Sequence, residues 1–259
     1  MVPNPSSETL ATDPRTVQAE LPTPFTRIRL RFEKSGPFRW LSHHDLIRAV
    51  DRLLRRLGLP VVHSQGFHPQ PAIVFGLSLP LGATGVEEVL EIDLEGLGWD
   101  PNDLLLQIQG QSPPGLIFRS SISVGPKARA RVKSLEYRVE IPEALRDIVS
   151  ARMAEILASP VLMFDRSGPA SAADGNDIET AIPSKSAKDY RKSLDYLRFE
   201  SRFLEIGLLP QLDGTVKPTE LLARLGWPID SEEYPQPQLQ RSQLTLEDDP
   251  HLLKGQDLE

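Results

Sequence analysis

One stretch near the start of the chain constrains the fold most, because its apolar residues follow a helical period. From Leu46 to Leu57 they recur every three or four positions, which predicts an amphipathic helix with one apolar face. Ser42 is a suitable N-cap, and Asp45 three residues later favours the positive end of the helix. Gly58 suits the C-terminal cap. The apolar face is therefore expected in the core, with an arginine-rich face opposite.

Alternating apolar and polar residues on both sides of this helix predict half-buried strands. A second helix is expected after Asp100, which is a suitable N-cap with proline at the next position. The predicted elements are a strand over 27–33, the first helix, strands over 72–81 and 86–94, a helix over 101–109 and a strand over 116–124. This βαββαβ order is that of a ferredoxin-like unit, in which the helices cover one face of the sheet.

The second half of the chain repeats this order approximately, without a recognisable sequence repeat. The predicted fold class is therefore α+β, with two tandem ferredoxin-like (βαββαβ-type) halves and antiparallel sheets. The predicted organisation is a disordered leader over 1–25, a first half over 26–126, a second half over 134–247 with a mobile insertion over 167–184, and an acidic tail over 248–259.

Charge is distributed unevenly along the chain. The net charge is −7, yet residues 27–70 contain nine Arg or Lys against three Asp or Glu. Residues 231–259 contain two basic residues against seven acidic ones. The average charge therefore says little about the partners of this protein.

Composition also excludes several classes of site. There is no cysteine, so the chain itself holds no disulfide, thiolate zinc site or cysteine-ligated iron–sulfur cluster. No apolar run is long enough to span a bilayer, and residues 1–24 lack the pattern of a signal peptide. We therefore expect a cytoplasmic protein with no membrane partner and no cofactor.

Four of the five histidines lie between residues 43 and 68, which raises the question of a metal site. His43 and His44 are adjacent, so on a helix they diverge by about 100 degrees and cannot easily share one ion. No carboxylate has ligand spacing, and we predict no metal. His43, His44 and His68 remain candidates for general acid–base catalysis. A triad of Ser42, His44 and Asp45 is disfavoured, because capping of the helix explains two of its members.

The arginines favour nucleic-acid binding instead. Repeated cations match the spaced phosphates of a nucleic-acid backbone, and each contact releases counterions. The basic groups are the helix stripe Arg48, Arg52 and Arg55, the strand arginines Arg27, Arg29 and Arg31, and the connector 127–133. Phe67, His68 and Trp40 are candidates for stacking on unpaired bases. Trp40 is more readily explained as a residue at the edge of the core.

Two motifs and their spacing resemble a known family. The first is Trp40 to Leu46 (WLSHHDL), and the second is Ser64 to Pro71 (SQGFHPQP), followed by LPLG at 79–82. They resemble the radical-SAM-linked, or radical-SAM-associated, proteins, a bacterial domain family of unknown function. Weaker likenesses are Asp189-Tyr190-Arg191, residues 217–221 and Gln240-Arg241-Ser242. The resemblance covers about residues 26–247, with His44 and Gln70 and a long insertion as departures.

This resemblance implies a radical-SAM protein as partner and a gene neighbourhood of ribonuclease and ribosomal-protein genes, but no established reaction. The leading hypothesis is an accessory RNA-binding module, not catalytic on its own, that works with that partner in RNA modification or processing. The predicted RNA-binding residues are Arg39, Ser42, His43, Asp45, Arg48, Arg52, Arg55, Ser64, Gln65, Gly66, Phe67, His68, Asp189 and Arg191.

Two alternatives stay open at this point. One is a metal-independent ribonuclease with histidine acid–base catalysis, which a tight ring of histidines around one arginine would favour. The other is a protein-interaction module, which an exposed apolar sheet face would favour. An arginine surface without convergent histidines would favour the RNA-binding module. The sequence does not name the RNA, the partner or the oligomeric state.

Overall fold

The computed structural model describes residues 24–65, 67–165, 187–229, 231, 234 and 236–249. Within these residues there are ten strands and four α-helices. In chain order they are β1 (Phe25–Lys34), α1 (His43–Arg56), β2 (Ile73–Phe75), β3 (Thr84–Glu95), α2 (Pro101–Gln111), β4 (Leu116–Val124), β5 (Val132–Glu140), α3 (Arg146–Ala158), β6 (Met163–Asp165), β7 (Ala187–Asp189), β8 (Leu194–Glu200), β9 (Phe203–Leu208), α4 (Pro218–Arg224) and β10 (Gln240–Leu246).

Eight of these strands form one sheet. Its order is β4-β1-β3-β10-β5-β9-β8, and β2 also pairs with β3. Neighbouring strands are antiparallel except β3 and β10, whose short parallel contact pairs Thr84 with Gln240 and Gly85 with Arg241. Strands β6 and β7 form a separate two-stranded sheet. The protein is thus a mixed α/β structure with one large, mostly antiparallel sheet, which the two halves of the chain share.

The first core lies between helices α1 and α2 and strands β1 to β4. Helix α1 has the predicted cap, because the Ser42 side chain accepts a hydrogen bond from the Asp45 backbone N–H. Gly58 follows the helix with φ of +67°, a conformation that glycine adopts without strain. The apolar face is buried as predicted, with Leu57 only partly covered. The buried residues of α1 are Leu46, Val50, Leu53 and Leu54.

The second core lies between helices α3 and α4 and strands β5, β8, β9 and β10. Strand β3 contributes to both cores. Its Leu90 and Ile92 belong to the first core, whereas Val89 belongs to the second. Because successive residues of a strand point to opposite faces, the two cores meet β3 from opposite sides. Strand β3 is therefore covered on both faces.

A buried ion pair joins the two halves beside the β3–β10 contact. Arg241 of β10 is fully buried and donates from Nε to Glu88 Oε1 of β3 at 2.7 Å, with a second hydrogen bond to the other carboxylate oxygen. Its remaining donors reach the Tyr137 hydroxyl at 3.3 Å, the Ser78 carbonyl at 3.3 Å and the Leu77 carbonyl at 3.0 Å. The guanidinium thus links strands β3, β5 and β10 with the segment after β2.

Several predicted boundaries need correction. Strand β1 begins at Phe25, inside the predicted leader, because that residue pairs with Glu95 of β3. Strand β5 begins at Val132, inside the predicted basic connector. Asp248 and Asp249, which belong to the predicted tail, hydrogen bond to arginines of β1. The predicted insertion 167–184 lies outside the described residues, as do residues 1–23 of the predicted leader and residues 250–259 of the predicted tail.

The helices are short. Among the residues that the structure describes, no helix is long and apolar enough to cross a membrane.

The buried ion pair gives a stability prediction. Replacing Glu88 by Gln leaves the Arg241 charge buried without its counter-charge, so the free energy of unfolding should fall by roughly 3–5 kcal/mol. Equilibrium denaturation in urea measures this loss. The matched control is Asp51→Asn, which breaks the Asp51–Arg55 pair on the surface of α1 at 3.0 Å. That change should cost no more than about 0.5 kcal/mol. Equal losses in the two variants would contradict the structural role of the buried pair.

Candidate nucleic-acid interface

Trp40 and Arg39 lie in a short 3-10 helix, Gly36–Trp40, that joins β1 to α1. The Arg39 guanidinium carbon lies 4.7 Å from the centroid of the Trp40 ring, within range of a cation–π interaction. The Gly82 N–H donates to the Arg39 carbonyl at 2.9 Å. Gly82 has φ of +81°, and a Cβ there would lie 2.9 Å from the Trp40 ring. Trp40 therefore packs against the LPLG turn, yet 59% of it is exposed, so the interpretation of Trp40 as a residue at the core edge is wrong.

The polar side chains at the start of α1 form hydrogen bonds with one another. The Ser42 hydroxyl lies 2.8 Å from Asp45 Oδ2 and 3.2 Å from the Asp45 backbone N–H. The other oxygen of Asp45 accepts a hydrogen bond from Arg48 at 3.3 Å. These contacts explain why Ser and Asp occupy these two positions. They give Ser42 and Asp45 a capping role, whatever else they contact.

His43 and His44 have different surroundings. The His43 ring lies 5.4 Å from the Phe75 ring of β2 in an edge-to-face arrangement, and 6.0 Å from the His44 ring. His43 is partly buried, whereas His44 is exposed. Burial lowers the pKa of His43, and the positive charges of His44 and Lys34 lower it further. The neutral form of His43 is therefore favoured.

Lys34 is a buried cation that the sequence patterns above do not single out. It is 1% exposed, and its Nζ donates to the Leu41 carbonyl at 3.0 Å. Burial lowers its pKa, and the nearby Glu88 carboxylate opposes that shift. The sequence does contain a signal for it. Lys34 follows Ile28, Leu30 and Phe32 on the apolar side of β1, where a charged residue must have a buried partner.

The motif Ser64–Pro71 forms a protruding loop closed at its base. The Ser64 N–H donates to the Gln70 carbonyl at 2.8 Å, and the Gln70 N–H donates to Ser64 Oγ at 2.9 Å. Phe67 between them is fully exposed, and Gln65 and His68 are exposed as well. Gly66 lies outside the described residues. The Phe67 ring therefore takes no part in the core and is available for contact with a ligand.

The loop and the start of α1 lie along the same strand. The loop leaves the sheet beside Asp93 of β3, which bonds to Val62 and Ala72 on either side of it. Phe75, the partner of His43, pairs with Leu90, three residues earlier on β3. Three residues of a strand span about 10 Å. The base of the loop and the ring that His43 contacts therefore lie within about 10 Å of each other along β3.

The arginine stripe of α1 is exposed to solvent. The side chains of Arg48 and Arg55 are 72% and 64% exposed, and each forms an ion pair with an acidic residue of the same helix. Exposed pairs of this kind contribute little stability, so a phosphate can compete for the guanidinium groups. Arg52 is exposed and has no ion-pair partner among the described residues. The predicted stripe is therefore accessible in full.

The arginines of β1 differ from this stripe, because carboxylates already occupy them. Arg27 donates to both oxygens of Asp93, at 2.6 and 2.8 Å. Arg29, which is 3% exposed, bonds to Glu91 and Asp248. The arginines of β1 therefore do not form an unpaired basic face, because β3 places carboxylates in register with them.

Asp189 and Arg191 have structural contacts in the second half. Asp189 Oδ1 accepts hydrogen bonds from the backbone N–H groups of Leu162 and Arg191, at 2.7 and 2.9 Å. The Arg191 guanidinium donates to the carbonyls of Ser159 and Leu194, at 3.3 and 3.1 Å. Both side chains fix the segment before β6 to the segment before β8. These contacts explain the two residues without a ligand.

The candidate acid–base residues do not form a ring. In the part of the chain that is described, no group of three or more His, Cys, Asp or Glu side chains is arranged to hold a metal ion. His43 and His44 are neighbours, and His68 is exposed in the loop. What the structure presents here is an exposed surface of arginines, histidines and two aromatic rings.

The fold and this surface define the class of protein: a mixed α/β protein with a basic, aromatic surface on its first half. The chain belongs to a family described as "Uncharacterized protein conserved in bacteria (DUF2344)", whose model matches residues 27–204. The match covers every residue of the surface described above. The family description names no activity.

Other comparisons add little. No curated protein matches this chain. A solved structure of an unknown protein from Galdieria sulphuraria shares 11% sequence identity, over 71% of this chain and 81% of that chain. Its TM-score is 0.26, too low to support an argument about fold or function.

The contacts of His43 predict how its protonation responds to Lys34. In an NMR titration, the pKa of the His43 ring should lie below its ordinary value of 6.5. In a Lys34→Met variant that pKa should rise, because one of the positive charges that disfavour the imidazolium is removed. The matched control is Lys192→Met, which removes an exposed cation from the second half and should leave the pKa of His43 unchanged. An unchanged His43 pKa in the Lys34→Met variant would show that the two side chains do not interact.

Proposed function

We propose that this protein is an RNA-binding accessory module, and that its first half carries the binding surface. The observation that supports this most is the exposure of two aromatic rings, one of which has a guanidinium against it. Phe67 is fully exposed at the tip of a closed loop, and Trp40 is exposed with Arg39 against its ring. Unpaired bases stack on such rings and on guanidinium planes, and each stacked base contributes about 1–3 kcal/mol.

The helix stripe supplies the electrostatic part of the proposal. Arg48, Arg52 and Arg55 follow one line on the exposed side of α1, opposite its buried leucines. Their guanidinium groups can neutralise successive phosphates while the aromatic rings hold the bases. Single-stranded RNA suits this combination better than a duplex, because its bases are available for stacking.

The two alternatives have less support. Histidine catalysis requires an acid and a base that converge on one scissile phosphate, and the histidine ring in contact with His43 is that of its chain neighbour His44, 6.0 Å away between ring centroids. An interaction module would be favoured by an apolar open face. On the first half that face carries the paired arginines Arg27, Arg29 and Arg31 instead.

Three finer parts of the proposal do not depend on the exposed rings or on the arginine stripe. The radical-SAM partner rests only on the sequence resemblance. A cytoplasmic location rests on the sequence pattern. The description as two ferredoxin-like halves is supported by strand order. The two sets of four strands are β4-β1-β3-β2 and β10-β5-β9-β8, and each set is antiparallel throughout. In both sets the fourth strand along the chain lies beside the first, which is followed by the third and then the second.

The stripe predicts a salt-dependent interaction. The Arg48→Ala/Arg52→Ala/Arg55→Ala variant should bind single-stranded RNA more weakly, and its log–log salt slope should be lower by about 0.7 for each phosphate that an arginine no longer neutralises. Fluorescence anisotropy with a labelled RNA, over a range of salt concentrations, measures both effects. The matched control is Lys192→Ala/Arg202→Ala/Arg224→Ala, which removes three exposed cations from the second half. Equal affinities and equal salt slopes for the two triple variants would exclude the stripe as an RNA-binding surface.

The loop predicts a stacking contribution that can be separated from folding. Phe67→Ala should lower RNA affinity by roughly 5–150-fold, which corresponds to about 1–3 kcal/mol for one stacked base. The free energy of unfolding should not change, because the ring is fully exposed. Leu212→Ala is the matched control, since Leu212 is also fully exposed and apolar but lies in the second half. If the two variants bind RNA equally well, Phe67 is not a stacking residue.

A further inference from the structure

A second basic surface lies on the other side of the first-half sheet. The connector between β4 and β5 crosses the face of β1 that α1 does not cover, and the Ala128 carbonyl accepts a hydrogen bond from Arg27 at 2.7 Å. A cavity of about 270 Å³ opens there. We call it the connector groove, and its lining residues are Lys127, Arg129, Arg131, Glu247 and Asp248.

Acidic residues at the end of β10 occupy this groove. Asp248 accepts two parallel hydrogen bonds from the Arg29 guanidinium, at 2.8 and 3.1 Å, and Asp249 pairs with Arg31. The Glu247 N–H donates to the Arg131 carbonyl at 2.9 Å, which fixes the segment along the connector. Three consecutive carboxylates therefore lie along a row of cations.

The charges of the groove balance only while this segment is present. The cations in and beside the groove are Arg29, Arg31, Lys127, Arg129 and Arg131, and the carboxylates in and beside it are Glu87, Glu91, Glu247, Asp248 and Asp249. Without the segment, only the two carboxylates of β3 would remain. Lys127 and Arg129 are exposed and have no ion-pair partner among the described residues, and the Arg131 side chain is 74% exposed.

Arginine binds carboxylates and phosphates with the same geometry. Its planar fork donates two parallel hydrogen bonds to either group, as Arg29 does to Asp248. A phosphate carries at least as much charge as a carboxylate. A groove that accepts adjacent carboxylates in this way can accept adjacent phosphates in their place.

We propose that the connector groove is a second binding site for the phosphate backbone of single-stranded RNA, and that Glu247–Asp249 occupies it when RNA is absent. The choice of RNA as ligand rests on the proposed function. The residues of the groove are separate from the α1 stripe and the loop, so each surface can be tested without the other. RNA displaces the acidic segment from the groove when it binds.

The test removes the carboxylates that occupy the groove. Asp248→Asn/Asp249→Asn should bind a short labelled single-stranded RNA roughly tenfold more tightly at low salt. The log–log salt slope should steepen by about 1.4, since two phosphates gain arginine partners. A matched control is Glu143→Gln/Asp195→Asn, which removes two exposed carboxylates from the second half and should bind as the parent does within about twofold. Unchanged affinity in a folded groove variant would overturn the proposal.

A second pair of substitutions tests whether the gain in RNA affinity arises from the connector groove. In the Asp248→Asn/Asp249→Asn background, Arg129→Ala/Arg131→Ala should remove the gain in affinity, because these exposed arginines line the groove. A gain that persists would overturn the proposal. So would tighter binding of inorganic tripolyphosphate with no change in RNA affinity, because the ligand would then not be RNA. The effect should also appear in the Arg48→Ala/Arg52→Ala/Arg55→Ala background, which separates this proposal from the role of the stripe.

A measurement on the unaltered chain covers the case in which the variants do not fold. The amide hydrogen of Glu247 is bonded to Arg131 in the free protein. Saturating RNA should speed its exchange with solvent, because displacement of the segment breaks that bond. If saturating RNA leaves the exchange rate of the Glu247 amide unchanged, the proposal is overturned.

Discussion

The joint between the two halves of the sheet depends on the pair of Arg241 and Glu88. Strands β3 and β10 share only a two-residue parallel contact, so backbone hydrogen bonds alone hold them weakly. The buried guanidinium adds bonds to β3, to β5 through Tyr137, and to the carbonyls of Leu77 and Ser78. A buried charge pair of this kind disfavours arrangements that leave either charge buried without its partner. It thereby fixes the segment that leads from β2 to the LPLG turn.

That turn connects the joint to the candidate site. Gly82 lies against the Trp40 ring and bonds to Arg39, directly before the start of α1. The buried Lys34 donates a hydrogen bond to the Leu41 carbonyl, and the charge of the same Glu88 favours its protonated form. The positions of Trp40 and of the start of α1 therefore depend on this turn and on buried polar contacts, while the arginine stripe depends only on the helix. RNA binding, as proposed, would combine a surface of each kind.

Local sequence patterns predict the local structure of this chain. They do not predict how strands that are distant in the sequence pair with one another. The 3.6-residue period from Leu46 to Leu57 and the capping residues of α1 are sufficient to place that helix. The pairing of Arg29 with Glu91 and Asp248 cannot be predicted, because it depends on strand register and on where β10 ends. The sharing of one sheet by both halves escapes prediction for the same reason. The exposure of Phe67 follows from a loop closed by Ser64 and Gln70, and no sequence period reports that.

The most direct test of the central claim is ultraviolet crosslinking of the unaltered protein to RNA, followed by mass spectrometry of the crosslinked peptides. Aromatic side chains stacked on bases are the ones that the proposed function places in contact with RNA. We predict nucleotide adducts on the peptides that contain Trp40 and Phe67. Adducts confined to the second half, or no adducts when RNA is in excess, would contradict the assignment of RNA binding to the first half.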